Sequence, residues 1–282
     1  MRYIFFGTPE FAAIVLQRLL DAGLPPLAVV CNPDRPVGRK KLLTPPPVKR
    51  LIANSKGHIE ILQPEKLNEI RDKLYAMRPK LFIVAAYAKI IPQGILDIPS
   101  HGTLGVHPSL LPRLRGASPI QSAILTGEPQ TGVSLYAMDA EMDHGPVYAS
   151  ERLADYDADR DTTATLLPRL AALGGEMLTK LLHKTNDGLP PATAQDHERA
   201  TLTRKFRTED AFIEPEDLAQ ALAGDAERAK AVHRAIRAFD PEPGAWTIRD
   251  GKRLKLLAAR LEDAKLVLTR IQYEGKTPVT VA

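Results

Sequence analysis

Two side chains in this 282-residue sequence are of a type and placement suited to moving a proton. His107 closes the apolar run Gly102-Thr103-Leu104-Gly105-Val106-His107, and Asp143 lies in the loop Asp139-Ala140-Glu141-Met142-Asp143-His144-Gly145. A carboxylate beside an imidazole fixes the ring's tautomer and lets it act as an acid near neutral pH. With a further donor for the oxyanion, such a pair suits acyl transfer to an amine without a metal or a covalent intermediate. A strand-end histidine is nevertheless more often a hydrogen-bonded structural residue, and spacing alone leaves both readings open. Asp139 and His144 read as residues that shape the loop.

The elements that must position this pair can be followed along the chain. Apolar runs at residues 3–6, 27–31, 59–62, 81–85, 102–107, 132–138 and 147–152 read as strands. Helical periodicity covers 11–22, 48–53, 66–77, 119–125 and 162–182. This alternation predicts an open, mostly parallel twisted sheet, whose ligands bind at the carboxyl ends of the strands. The turn-rich Asp187-Gly188-Leu189-Pro190-Pro191 then marks a boundary. Beyond it, helical segments at 215–222 and 228–239 precede short strand-like runs at 247–248, 254–258, 266–271 and 279–281, which suit a small barrel of the OB type. At 282 residues, two domains are expected.

Composition narrows the classes further. The longest apolar run is too short to span a bilayer, and Met1-Arg2-Tyr3-Ile4-Phe5-Phe6-Gly7 breaks before a signal-peptide core, so cytoplasmic residence is expected. The single cysteine, Cys31, fits a reducing compartment and reads as a buried packing residue. A net charge of +4 hardly argues for a nucleic-acid partner, but its distribution says more. Basic residues exceed acidic ones over 228–282, and Arg35, Arg39, Lys40, Lys41, Lys49 and Arg50 cluster in one proline-rich segment. Each cluster also reads simply as a solvated face. Phe6-Gly7-Thr8-Pro9-Glu10-Phe11 follows a strand and opens a helix, yet it lacks the G-x-G-x-x-G spacing of a dinucleotide site. No Walker loop, H-E-x-x-H, Cys/His cluster or G-x-S-x-G elbow occurs, which removes the common metalloenzyme and serine-hydrolase readings.

Taken together, these segments resemble the folate-dependent formyltransferases over nearly the whole chain. The resemblance is carried by Phe6-Gly7-Thr8-Pro9-Glu10-Phe11-Ala12, Pro33-Asp34-Arg35-Pro36-Val37-Gly38-Arg39 with Pro47-Val48-Lys49, Ala86-Tyr87-Ala88-Lys89-Ile90-Ile91-Pro92, residues 107–120, Thr131-Gly132-Val133, residues 139–145, and Arg237-Ala238-Phe239-Asp240-Pro241-Glu242-Pro243-Gly244-Ala245-Trp246. It implies an α/β fold, with a Rossmann-like formyltransferase domain over 1–188, a linker over 189–204, and a smaller, shortened OB-like β-barrel domain over 205–282 that binds tRNA. The implied reaction moves a formyl group from 10-formyltetrahydrofolate, as co-substrate and without metal, to the α-amino group of a methionyl initiator tRNA. His107 and Asp143 become catalytic residues. Ser109, Leu110, Leu111 and Pro112 line the folate crevice with Ala86 and Tyr87. Arg35, Arg39, Lys40, Lys41 and Lys49 form a basic loop over the tRNA acceptor end, and its prolines and charge predict disorder without RNA. No membrane partner is expected, and the protein is expected to act as a monomer.

One position departs from the family pattern. Two residues before the histidine the family carries asparagine, whose amide supports the oxyanion, and this chain has Gly105. Losing one such donor costs about 10²–10³ in rate, which implies that Gly105→Asn would accelerate transfer. An enzyme using water or a backbone amide in that space, a weakened or engineered variant, and a binding protein without efficient turnover are all compatible with glycine there. A sugar-amine formyltransferase would share the folate site but lack the basic loop and the Pro-Gly-Ala-Trp segment.

Overall fold

The computed structural model describes every residue except Arg39, Lys56, residues 185–187 and Ala282. It divides into two compact units. The first comprises Met1–Arg115, Gly132–Leu153 and Pro168–Thr201; the second comprises Gly116–Thr131, Ala154–Leu167 and Leu202–Ala282.

Along the chain, β1 (Tyr3–Gly7), α1 (Glu10–Asp21) and β2 (Ala28–Val30) come first, then a short hairpin of β3 (Arg35–Val37) and β4 (Leu42–Thr44). Next are α2 (Pro47–Ala53), β5 (Glu60–Leu62), a 3₁₀ turn at Leu67–Ile70, α3 (Arg71–Ala76), β6 (Leu81–Ala85) and α4 (Gln93–Leu96). They are followed by β7 (Thr103–His107), the two-residue β8 (Arg115–Gly116), α5 (Pro119–Thr126), β9 (Gly132–Ala137), β10 (Val147–Arg152) and the long α6 (Thr163–Lys184). After another two-residue strand, β11 (Leu202–Thr203), come α7 (Pro215–Ala223), α8 (Ala226–Ala238), β12 (Trp246–Arg249), β13 (Lys252–Glu262), β14 (Lys265–Tyr273) and β15 (Val279–Thr280).

The first unit is built on a seven-stranded sheet of order β10-β9-β7-β6-β1-β2-β5. The core β7-β6-β1-β2-β5 is parallel, while β9 runs against β7 and β10 against β9. Strands added on one side of β1 and then on the other leave a switch point between β1 and β6, where the carboxyl-end residues Gly7 and Ala85 are paired. Open α/β sheets present their ligand crevice at such a point. The central strands β1, β2 and β6 are apolar and buried along their whole length because both faces are covered, whereas the edge strand β10 ends in exposed polar residues. Ile4, Phe6, Phe82 and Val84 pack with Leu74, Ile95 and Leu96 in one core. Elsewhere α6 comes close because Gly174 has no side chain: a Cβ there would stand 2.8 Å from Val106 Cγ1 on β7.

The second unit carries a four-stranded antiparallel sheet, β12-β13-β14-β15. Ile213, Leu218, Val232 and Ile236 of its helical part join Leu254, Leu256, Leu266 and Ile271 in one core. Asp225 opens α8 by accepting hydrogen bonds from the backbone amides of Glu227 and Arg228. Among the described residues this sheet is an open meander, shorter than the five strands of an OB barrel.

Three local readings change. The helix expected over 66–77 is a 3₁₀ turn followed by α3, the axis breaking at Ile70, the last residue of the turn, with φ -112 and ψ 6. The proline-rich segment expected to be disordered is the β3–β4 hairpin; Arg39 lies outside the described residues. The two strands expected at 254–258 and 266–271 are the long hairpin of β13 and β14, turning at Asp263 and Ala264. Among the described residues no helix is long and apolar enough to cross a membrane.

Phe6 is fully buried, its ring 4.9 Å from that of Phe82 and 5.6 Å from that of Tyr87. Phe6→Ala is therefore expected to lower unfolding free energy by about 3–5 kcal/mol, read by urea denaturation; a loss under about 1 kcal/mol would contradict this packing.

Candidate active site

His107 ends β7 at the carboxyl edge of the parallel core and is 6% exposed. Its Nε2 lies 2.8 Å from the Leu114 carbonyl oxygen. A carbonyl only accepts, so Nε2 carries the hydrogen and Nδ1 is left for the other side of the ring. There, Asp143 Oδ2 stands 3.4 Å from Nδ1, slightly beyond an ordinary hydrogen bond. The Nδ1–Asp143 edge is thus where a proton can be taken up or handed over.

Asp143 holds this position with its backbone at φ 51, a left-handed conformation that costs a non-glycine residue energy and persists only when its surroundings hold it. Two supports do so. The Tyr136 hydroxyl donates to Asp143 Oδ1 at 2.6 Å. Gln195 Nε2 donates to the carbonyls of Asp143 and Gly145, at 2.9 and 2.7 Å. Gln195 Oε1 in turn accepts from Arg115 Nε and Nη2, so every polar atom of this buried amide is used. Arg115 also reaches His197 Nδ1 at 2.9 Å, and His197 stacks on His144 with ring centroids 4.3 Å apart. His144 contacts Asp139 at 2.8 Å, so both do shape the loop. Burial first, then the neighbouring Asp143 charge and hydrogen bond, with Asp139 beyond, keep the Tyr136 hydroxyl well above its usual pKa of 10 and therefore protonated.

The loop after His107 is tied to β9. The Ser134 hydroxyl donates to Ser109 O, and the Leu111 amide donates to Ser134 Oγ. Ser109 is 1% exposed and its own hydroxyl is spent on Arg113 O, whereas Leu110, Leu111 and Pro112 are half-buried. Ala86, just beyond β6, is exposed, while the Tyr87 side chain turns into the core at 2% exposure. Of the basic residues, Lys40 and Lys41 are exposed on the hairpin, and Arg35 pairs with Glu65 at 2.7 Å. Lys49 points inward to Asp34 and Gln63, and hydrogen bonds donated by Gln63 and then Lys49 hold the Asp34 carboxyl below its usual pKa. Arg39 lies outside the described residues. Among the described residues, no group of three His, Cys, Asp or Glu side chains is placed to hold a metal ion.

Tyr136, Gln195 and Arg115 were not singled out from the sequence. Tyr136 sits in an apolar strand, and Gln195 sits in a segment that reads as linker. Gly105 and Tyr136 are paired across β7 and β9. A Cβ on residue 105 would collide with Tyr136 Cε1 and stand 2.6 Å from Cζ and 2.9 Å from the hydroxyl oxygen. The space expected to be vacant above Gly105 is filled by a tyrosine ring.

A doubly wound sheet with a His–Asp pair at the carboxyl edge of its parallel core defines the class of the first unit: an α/β domain whose ligand crevice lies at the strand ends. The family model for formyl transferase matches residues 1–182, and that for the formyl transferase C-terminal domain matches 226–282. A methionyl-tRNA formyltransferase of Thermotoga neapolitana is 40% identical over 266 residues, 94% of this chain and 80% of that protein. This chain belongs to the formyl transferase family. Among solved structures, the methionyl-tRNA formyltransferase of Clostridium thermocellum shares the fold, with TM-score 0.63 at 20% identity over 97% of this chain and 98% of that one. HypX of Aquifex aeolicus in complex with tetrahydrofolic acid has TM-score 0.63 at 17% identity; the match covers 99% of this chain but 46% of that one.

The Gly105–Tyr136 contact sets a cost in stability for Gly105→Asn. The new side chain must displace the Tyr136 ring, and the variant is expected to lose about 1–3 kcal/mol of stability in denaturant titration. Unchanged or greater stability would show that the ring yields freely.

Proposed function

We propose that this protein transfers a formyl group from 10-formyltetrahydrofolate to the α-amino group of methionine on initiator tRNA. The observation that carries the reading is the His107–Asp143 pair, standing at the sheet edge of a chain 40% identical over 94% of its length to a protein bearing that activity in its name. Folate supplies the formyl group. It would lie against Leu110, Leu111 and Pro112, with Ser109 buried beneath them and the Ala86-Tyr87 segment on the other wall. HypX, which shares the fold, was solved in complex with tetrahydrofolic acid, which supports folate as the ligand.

The amine adds to the formyl carbon while His107, at the Nδ1 edge it shares with Asp143, donates a proton to the oxygen that becomes negative; as that proton returns to the pair and the carbonyl re-forms, the bond from the formyl carbon to N10 of the folate breaks, and the proton lost by the attacking nitrogen passes to the departing N10. Lys40, Lys41 and Arg35 on the exposed hairpin, and Arg39 from the same stretch of sequence, would meet the phosphates of the tRNA acceptor end. Lys49, turned towards Asp34 and Gln63, would brace the base of that segment. In this reading 1–188 carries the chemistry, 189–204 links, and 205–282 adds basic surface for the RNA. The enzyme would act as a cytoplasmic monomer.

The test measures formyl transfer to methionine-charged initiator tRNA by purified protein. His107→Ala and Asp143→Ala are each expected to lower kcat by about 10²–10⁴. Lys40→Glu with Lys41→Glu is expected to raise KM for tRNA about tenfold, more at low salt, and to leave KM for folate unchanged. Transfer undiminished in His107→Ala would overturn the assignment.

A further inference from the structure

We propose that Tyr136 is a positioning residue of this site, and that Gly105 and Tyr136 act as one unit: the absent side chain on β7 makes room for a ring on β9 that orients Asp143 towards His107. The inference rests on the formyl-transfer reading for its consequence in rate, but not for its geometry.

Three observations lead to it. The ring lies where any side chain at 105 would lie, with its hydroxyl oxygen 2.9 Å from the place of a Cβ on that residue. That hydroxyl donates to Asp143 Oδ1 at 2.6 Å, so Oδ2 is the oxygen left to face His107 Nδ1 at 3.4 Å. The ring also meets the imidazole edge-on, with centroids 6.4 Å apart at 86°. At 4% exposure Tyr136 has little freedom to reorient, and the Asp143 backbone beside it is held at φ 51.

A phenol has one hydrogen to give. Committed to Asp143, it cannot also stabilise an oxyanion, so Tyr136 works through the carboxylate and not on the substrate. It restrains the χ angles of Asp143 as Gln195 restrains its backbone, and together they fix the one carboxylate oxygen available to the imidazole. Accuracy of this kind matters in catalysis, since a displacement of about 1 Å at a reacting group can cost on the order of 10² in rate.

Tyr136→Phe removes the hydroxyl and keeps the ring over Gly105, so the fold is expected to survive. The variant is expected to lower kcat about 5- to 30-fold while KM for folate and for tRNA stays within about twofold, the split expected of a transition-state contact rather than of binding. The ¹⁵N shift of His107 Nδ1, which reports its contact with Asp143, is expected to move in the same variant. An unmoved Nδ1 resonance would overturn the proposed orientation of Asp143, and wild-type kcat would overturn its role in catalysis. His107→Ala, run alongside, separates the two claims. If it leaves transfer intact, the functional reading fails, and the Nδ1 resonance then decides the Tyr136 proposal alone. If it abolishes transfer while Tyr136→Phe turns over normally, the positioning role fails and the functional reading stands.

Discussion

The site depends on the antiparallel pairing of β9 with β7. Five strands of the sheet run parallel and could carry His107 to the crevice, but none of them brings a partner to it. Because β9 runs the other way, Tyr136 stands opposite Gly105 and Ser134 opposite His107. The first of these pairs controls the Asp143 carboxylate, and the second pins the loop through Ser109 and Leu111. A shift of one residue in this register would turn the β9 side chains to the opposite face and separate all of them.

A second constraint comes from further along the chain. Asp143 needs an external hold for its left-handed backbone, and Gln195 supplies it across 52 positions of sequence while Arg115 keeps the amide oriented. Arg115 and Gln195 are both buried at 7% exposure, where a charge or an amide without partners is costly. Arg115 donates to Gln195 and contacts His197, and Gln195 donates on to Asp143 and Gly145, so the loop geometry is secured by groups that would be penalised if it came apart. The segment after α6 thus helps to build the site as well as to join two parts of the chain.

How far this was legible beforehand varies element by element. The βαβ order could be followed because buried parallel strands are continuous apolar runs, whereas His107 and Asp143 were residue types able to move a proton whose spacing left them open to a structural reading until the resemblance to the formyltransferases gave them roles. Tyr136 did not, because in an apolar strand it looks like core until the register sets it against a glycine. Gln195 was hidden in a turn-rich stretch whose burial comes only from tertiary contacts. The β13–β14 hairpin looked like two short strands because register shifts near Leu256 and Ala258 interrupt the alternation that marks a strand. The hairpin at 35–44 was obscured by prolines and charges, features that usually accompany disorder.

If His107 and Asp143 share one proton-handling task, their losses cannot be independent. The most direct test is a double-mutant cycle on the single-turnover rate of formyl transfer, comparing His107→Ala, Asp143→Ala and the double variant. The account predicts that the double variant is little slower than the slower single one, as for groups that act as a unit. Losses that simply multiply would show two residues acting separately and would contradict it.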